Sequence, residues 1–228
     1  MPRPRRRRLG RTIALVLLIL ALLPIPVIAL YRVAPPPITP LMLIRAAEGE
    51  PIHREWAPYG RIAPTLIRAV IASEDTRFCH HDGFDWIEID KAVDSYREGE
   101  RLRGASTISM QLARNLFLWP GGGYVRKGIE AYLTLLIEAL MSKERILELY
   151  LNVVEWGHGV YGAEAAARAH FNRSAAQLSA REAALLAAVL PNPRRWQPEH
   201  PTAYIEERTA TILARMPEVA VPRRQGCR

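Results

Sequence analysis

The chain has 228 residues, room for one globular domain and a terminal appendage, and its 49% hydrophobic content is ample for a core. Its formal charge of +8 points toward nucleic acid, but Arg3, Arg5, Arg6, Arg7, Arg8 and Arg11 supply six of those charges, and the excess of about +2 that remains is ordinary. Nucleic acid is thereby excluded as the expected partner. Two cysteines, Cys79 and Cys227, are too few for a metal cluster or a disulfide scaffold and leave open only one long-range bridge.

After the basic tail 1–11, no charge falls between Thr12 and Tyr31. That length suffices to cross the hydrocarbon core as a helix, and Pro24 and Pro26 are expected to kink its outer half. Arginines crowd the N-terminal flank and only Arg32 follows, which places the N-terminus in the cytoplasm and the rest of the chain outside the membrane. A cleaved signal peptide is the alternative, but its apolar region would be shorter and would end at a small-residue site. Residues 32–56 then read as a spacer stiffened by Pro35, Pro36, Pro37 and Pro40, with Leu41–Ile44 and Pro51–Trp56 pairing as a hairpin around Glu48 and Gly49.

From residue 57 to 215 the pattern is helical almost throughout, without internal repeats. Pro64 suits the first turn of a helix whose buried face is Leu66, Ile67, Val70 and Ile71, and one further turn brings Glu74 onto that face. Asp85 with Glu88 predicts a capping box for a helix carrying Trp86, Ile89, Val93 and Tyr96 on one face and ending at Gly99. A basic, flexible loop at 101–104 precedes a helix from Ser106 to about Leu118, broken by Pro120 and three glycines. The longest helix is expected from Val125 to Met141, with Ile129, Leu133, Leu136, Ile137 and Leu140 as its stripe. Ser142 caps the next, which buries Ile146, Leu147, Tyr150 and Leu151. Ala163–Ala169 and Ala180–Leu190 follow, the latter opened by Ser179 with Glu182 and stopped by Pro191. Residues 216–228 form a C-terminal tail that the pattern leaves unassigned.

Four constellations could carry chemistry. Glu74–Gly83 gathers three acids, Arg77, Phe78 and two histidines in one short segment; Glu74 is either a base in a cleft or a satisfied acid paired with Arg77 or His81. Thr107, Gln111 and Asn115 stand at i, i+4 and i+8 beside Arg114, offering donors and acceptors to sugar hydroxyls or phosphate, with a helix N-terminus that favours an anion. An ordinary solvated face is the competing reading. Arg126, Lys127 and Glu130 open the long helix, and two cations near a carboxylate suit a diphosphate and its bridging metal better than the unfavourably ordered Arg-before-Glu pair suits helix stability. Phe117, Leu118, Trp119, Pro120 and Tyr124 place large apolar groups around flexible glycines, either dipping into a bilayer interface or buried in the core. His-Glu-x-x-His, Gly-x-Ser-x-Gly and Ser-x-x-Lys motifs are missing from the sequence.

These stretches, in order, resemble the biosynthetic peptidoglycan glycosyltransferases, glycosyltransferase family 51, over nearly the whole chain. Glu74–Gly83 resembles the family's first motif, Gly104–Asn115 the second, Arg126–Glu130 the third, Lys143–Asn152 the fourth and Gly157–Ala166 the fifth. Met110 departs from the pattern, standing where the family usually shows the first Gln of a pair; the second, Gln111, is present. The resemblance implies a mainly α, lysozyme-like domain with a membrane-facing jaw. It also implies an inverting polymerase of lipid II that releases polyprenyl diphosphate. No acyl-serine transpeptidase domain follows residue 215, which reads as the monofunctional form. On the same resemblance Glu74 is the base and Glu130 the second catalytic carboxylate, the latter also a candidate ligand for a divalent cation such as Mg. Asp75, Phe78, His81, Thr107, Gln111, Arg114, Asn115, Arg126 and Lys127 are expected to shape the site and bind substrate. Expected partners are lipid II, the growing lipid-linked glycan, membrane lipid, and cell-wall synthesis and division proteins. The rivals are a membrane-tethered lytic enzyme and a scaffold that has kept the fold.

Overall fold

The computed structural model describes residues 4–99, 104–223 and 226–227. The basic loop at 101–103 and the tail residues Arg224, Gln225 and Arg228 lie outside the described residues. Helix α1 (Pro4–Leu22) runs almost directly into α2 (Pro24–Tyr31). Leu23 keeps helical angles and its N–H still reaches the Ile19 carbonyl at 2.9 Å. The break falls where Pro24 and Pro26 have no N–H to give. Leu9–Tyr31 is long and apolar enough, by length and composition, to cross a membrane. Its C-terminal end is held by the domain: Ile28 is fully buried, the Tyr132 hydroxyl donates to the Ala21 carbonyl, and Arg145 donates to the carbonyls of Tyr31 and Ala34 at 2.8 Å each.

The segment 32–56 is neither a free spacer nor a hairpin. Arg54 clamps the Pro36 and Pro37 carbonyls at 2.7 and 3.0 Å, and Pro40–Ala47 forms helix α3. Thr39 caps α3 by accepting the Met42 N–H, and Pro40 sits in its first turn, where a missing donor costs nothing. Those two residues explain why Leu41–Ile44 coils instead of pairing as a strand. Strand β1 (His53–Arg54) pairs in parallel with β3 (Val160–Tyr161), which pairs antiparallel with β2 (Glu155–Gly157). The small hairpin of this fold is therefore β2–β3, about a hundred residues downstream of the predicted one.

Helix α4 (Pro64–Glu74) buries Leu66, Ile67, Val70 and Ile71 as its spacing predicts, against α10 (Ala180–Val189) and α11 (Ala203–Arg215). Helix α6 (Ile108–Phe117) packs on α7 (Tyr124–Leu140) and α8 (Lys143–Val153), and α9 (Ala163–Phe171) closes over the small sheet. Helix α5 (Trp86–Arg97) forms as expected, but none of its residues is buried, so its apolar face, with Trp86 and Tyr96, turns outward. Asp85 caps it by accepting the Ile87 and Glu88 N–H groups, while Glu88 pairs with Lys91 at 2.7 Å instead of reaching back. On α7 the buried face is Glu130, Leu133, Thr134 and Ile137; Ile129 is exposed. The expected apolar stripe is thus rotated so that Glu130 points inward.

The capping box at Ser179 and Glu182 is complete; burial pushes the Glu182 carboxyl up, but the Ser179 hydrogen bonds together with Arg173 at 3.0 Å hold it below its ordinary range. Ser179→Ala is expected to cost about 1 kcal/mol, read as a fall of roughly 2–4 °C in melting temperature. An unchanged melt would show that α10 does not depend on its cap.

The C-terminal tail docks. Strands β4 (Pro222–Arg223) and β5 (Gly226–Cys227) pair antiparallel, the Tyr59 hydroxyl donates to the Pro222 carbonyl at 2.8 Å, and Cys227 is disulfide-bonded to Cys79.

Candidate active site

The site is assembled where α4 ends. Glu74 occupies its last residue, and its side chain keeps 12% exposure, enough to be reached from solvent. It pairs with neither Arg77 nor His81. One carboxylate oxygen accepts the Ser73 hydroxyl at 2.9 Å, and the other accepts the Gln111 amide at 3.0 Å. Arg208 of α11 lies 3.6 Å from it and donates to Ser73 at 3.0 Å. Arg77 instead faces Asp85 at 3.2 Å.

Gln111 is itself aimed. Its carbonyl oxygen accepts the Tyr150 hydroxyl at 2.9 Å, which leaves the NH2 group for Glu74. Tyr150 is fully buried; burial, then the Glu74 charge, push its phenol well above the ordinary range, so it stays a donor. Tyr150→Phe frees the amide to turn its oxygen toward Glu74 and is expected to lower turnover about tenfold with the fold retained. An unchanged rate in a kinetic assay would remove this relay.

Asp75, the next residue, is buried and faces the other way. It accepts the Ile108 N–H at 3.0 Å and His81 Nε2 at 2.9 Å. The anion at the α6 N-terminus is therefore supplied by the protein itself. His81 Nδ1 accepts the Gly83 N–H at 3.2 Å, so Nε2 carries the proton that reaches Asp75. Gly83, at φ 94°, also takes the Thr107 hydroxyl on its carbonyl at 2.6 Å, and a Cβ there would meet Thr134 Cγ2 at 2.8 Å. Thr107 caps α6 through the Met110 N–H and is buried, so its hydroxyl is spent on the frame. Phe78 is fully buried beneath the segment, with the Lys143 ammonium 4.6 Å from its ring centre.

Glu130 is buried, with one oxygen held by Arg126 at 2.8 Å and the other by Lys127. Lys127 also reaches the Ser106 hydroxyl at 3.3 Å. Both Glu130 oxygens accept from cationic side chains, so a divalent cation would be held there in exchange for part of the Arg126 and Lys127 pairing. Asp75, His81 and Asp85 place ligand-type atoms within 4.8 Å of one another, but they bond to each other, to Ile108 and to the α5 cap, and fit a cation no better.

Two clefts lie on either side of the Glu74–Gln111 hydrogen bond, Glu74 bordering one and Gln111 the other. The larger, about 650 Å³, is bordered by Glu74, Asp75, Asp85, Ser106 and Thr107. The smaller, about 200 Å³, is bordered by Leu41, Arg45, Gln111, Arg114, Asn115 and Glu155. The stripe on α6 is thus divided: Gln111, Arg114 and Asn115 border the smaller cleft, and Thr107 borders the larger one with its hydroxyl spent on Gly83 and Met110. The apolar segment after α6 divides too, since Leu118 is buried while Trp119 and Tyr124 are exposed. Sequence reasoning missed Arg208. Thr202 as a cap, Glu206 in the first turn and Ile205, Thr209 and Ile212 at helical spacing would have revealed its helix.

Residues 42–217 match the family model described as Transglycosylase. A protein of Rhodospirillum centenum named biosynthetic peptidoglycan transglycosylase is 59% identical over 220 residues, covering 96% of this chain and 94% of its own. Proteins of the same name from Caulobacter vibrioides and Pseudomonas fluorescens are 49% and 52% identical. The first covers 90% of both chains, the second 84% of this chain and 82% of its own.

Proposed function

This chain belongs to the peptidoglycan transglycosylase family, and we propose that Glu74 is the base with which it joins lipid II into β-1,4-linked glycan. The observation that carries the proposal is Glu74 itself. It is a reachable carboxylate with both oxygens oriented by hydrogen bonds, on the wall of the larger cleft and bonded to the Gln111 that borders the smaller one. The acceptor GlcNAc 4-hydroxyl attacks the anomeric carbon of the donor MurNAc, and its proton passes to Glu74 as the new bond forms. The bond from that carbon to the diphosphate oxygen breaks with its electron pair, with inversion, and polyprenyl diphosphate leaves. Arg126 and Lys127 receive the negative charge of the leaving diphosphate, which requires them to exchange part of their pairing with Glu130 for phosphate oxygens. Glu130 keeps both cations charged and placed. Gln111, Arg114 and Asn115 orient sugar and phosphate, while Asp75, His81 and Phe78 hold the segment that carries Glu74. Arg208 fixes Ser73 beside the base. No step runs through a divalent cation.

An anchor at Leu9–Tyr31 keeps the site close to a lipid-linked substrate, with the domain on the outer side of the cytoplasmic membrane. The test is incubation of detergent-purified full chain with labelled lipid II. A ladder of long glycans is the expected result. Release of fragments from purified cell wall, with no polymer formed, would replace this reading by the lytic one.

A further inference from the structure

Two arginines and a tryptophan hold the chain where it leaves the apolar helix. Tyr31 ends α2, and the carbonyls of a helix's last turn have no partner within it. Arg145 of α8 supplies one, donating to the Tyr31 and Ala34 carbonyls at 2.8 Å each and bringing its charge to the negative end of the helix dipole. Arg54 takes the Pro36 and Pro37 carbonyls at 2.7 and 3.0 Å. Both guanidiniums lie over the Trp56 ring, 5.5 Å from its centre for Arg54 and 5.4 Å for Arg145. Glu148 pairs with Arg145 at 3.2 Å. The next residue closes on α8 as well: Asn152 accepts the Ala57 N–H and donates to the Ala57 carbonyl, both at 2.8 Å.

The same helix carries Tyr150, which aims Gln111 at Glu74. A continuous set of contacts therefore runs from the end of the apolar helix through Arg145 and α8 to Glu74. A tether that only kept the domain near the membrane would need none of it. Ordering two long arginine side chains costs entropy, and a spacer stiffened by Pro35, Pro36 and Pro37 reaches without them.

We propose that Arg54 and Arg145, braced on Trp56, form a rigid mount that fixes the height and tilt of the catalytic cleft above the membrane, and so act as positioning residues for a lipid-linked substrate. The proposal rests on the function argued above. A lipid holds its headgroup at one level of the bilayer, so a cleft free to wobble meets the reacting atoms in few of its orientations. The test uses the full chain, an Arg54→Ala, Arg145→Ala double variant, and a second variant with a flexible Gly-Ser insertion between Ala34 and Pro35, which keeps every side chain of the domain. Polymerisation of labelled lipid II is compared in phospholipid vesicles and in detergent, where a deformable micelle lets substrate reach the cleft at any tilt. Both variants are expected to lose about tenfold in turnover in vesicles and to match the wild type in detergent. Equal loss in the two media from the insertion variant, or no loss in vesicles from either variant, overturns the proposal. A fluorophore on Ala210→Cys, at an exposed position of α11 and the one free thiol while Cys79 and Cys227 are bonded, reads the mount without the reaction. In vesicles its anisotropy should decay to a high residual value in the wild type and to a low one in both variants. A low value in the wild type shows a free tether and overturns the proposal. No polymer from any form removes the proposed function, while the anisotropy still decides whether the mount exists.

Discussion

Glu74→Gln is expected to lower polymerisation about 10²- to 10⁴-fold, the range general-base catalysis contributes, while the protein melts within a few degrees of wild type. The replacement keeps the shape of the last residue of α4 but cannot accept the acceptor's proton. It also confronts the donors now bound to the carboxylate, the Ser73 hydroxyl and the Gln111 amide, with a group that has one accepting oxygen and one NH2. The loss should fall on kcat, because the replacement keeps the size of the side chain in the cleft wall and removes its capacity to take a proton. Glu130→Gln provides the contrast. It leaves Arg126, whose side chain is 11% exposed, without its carboxylate, so lost activity should come with a lower melting temperature. Full activity in Glu74→Gln would sink the assignment of the base.

Breaking the bridge between Cys79 and Cys227 is expected to cost on the order of 2–5 kcal/mol, because it closes a loop with a sequence separation of 148. For a chain of this size that is a fall of roughly 5–15 °C in melting temperature. Cys79 lies in the short helical turn 78–80, directly between Asp75 and His81, and its sulfur also contacts the Ala220 carbonyl at 3.5 Å. The bridge therefore pins the C-terminal strands against the segment that positions Glu74. Reductant or a Cys79→Ser, Cys227→Ser double variant should lower both stability and turnover, measured by thermal melt and lipid II assay. Free thiols found by mass spectrometry in protein isolated without reductant would refute the bridge. A structural disulfide also suits a domain that matures in an oxidising compartment, as the arginine-flanked apolar helix predicts.

Several features were legible because they are local. Apolar spacing and caps marked α4, α8 and α10, since Ser142 and Ser179 sit next to the donors they satisfy. Thr39 and Pro40 carried the same kind of signal for α3, and a run of apolar residues was misread as a strand although a cap preceded it. The ordered motifs identified the family, and the charge-free stretch identified the apolar helix, because composition alone decides whether a helix can cross hydrocarbon. Partners distant in the chain were not legible. That Asp75 would satisfy α6, that Tyr150 would orient Gln111, and that Arg208 would stand beside Glu74 depend on which helices pack together. The bridge from Cys79 to the tail had the same character: two cysteines allow it, and only the docked strands bring them together. The sequence by itself determined most of the helices, the anchor-like segment and the family, because these follow from period, length and neighbouring residues. Only the tertiary structure decided which polar side chains are spent on the frame and which remain free to meet a substrate. Burial and hydrogen-bond geometry are properties of the packed chain, and no local pattern encodes them.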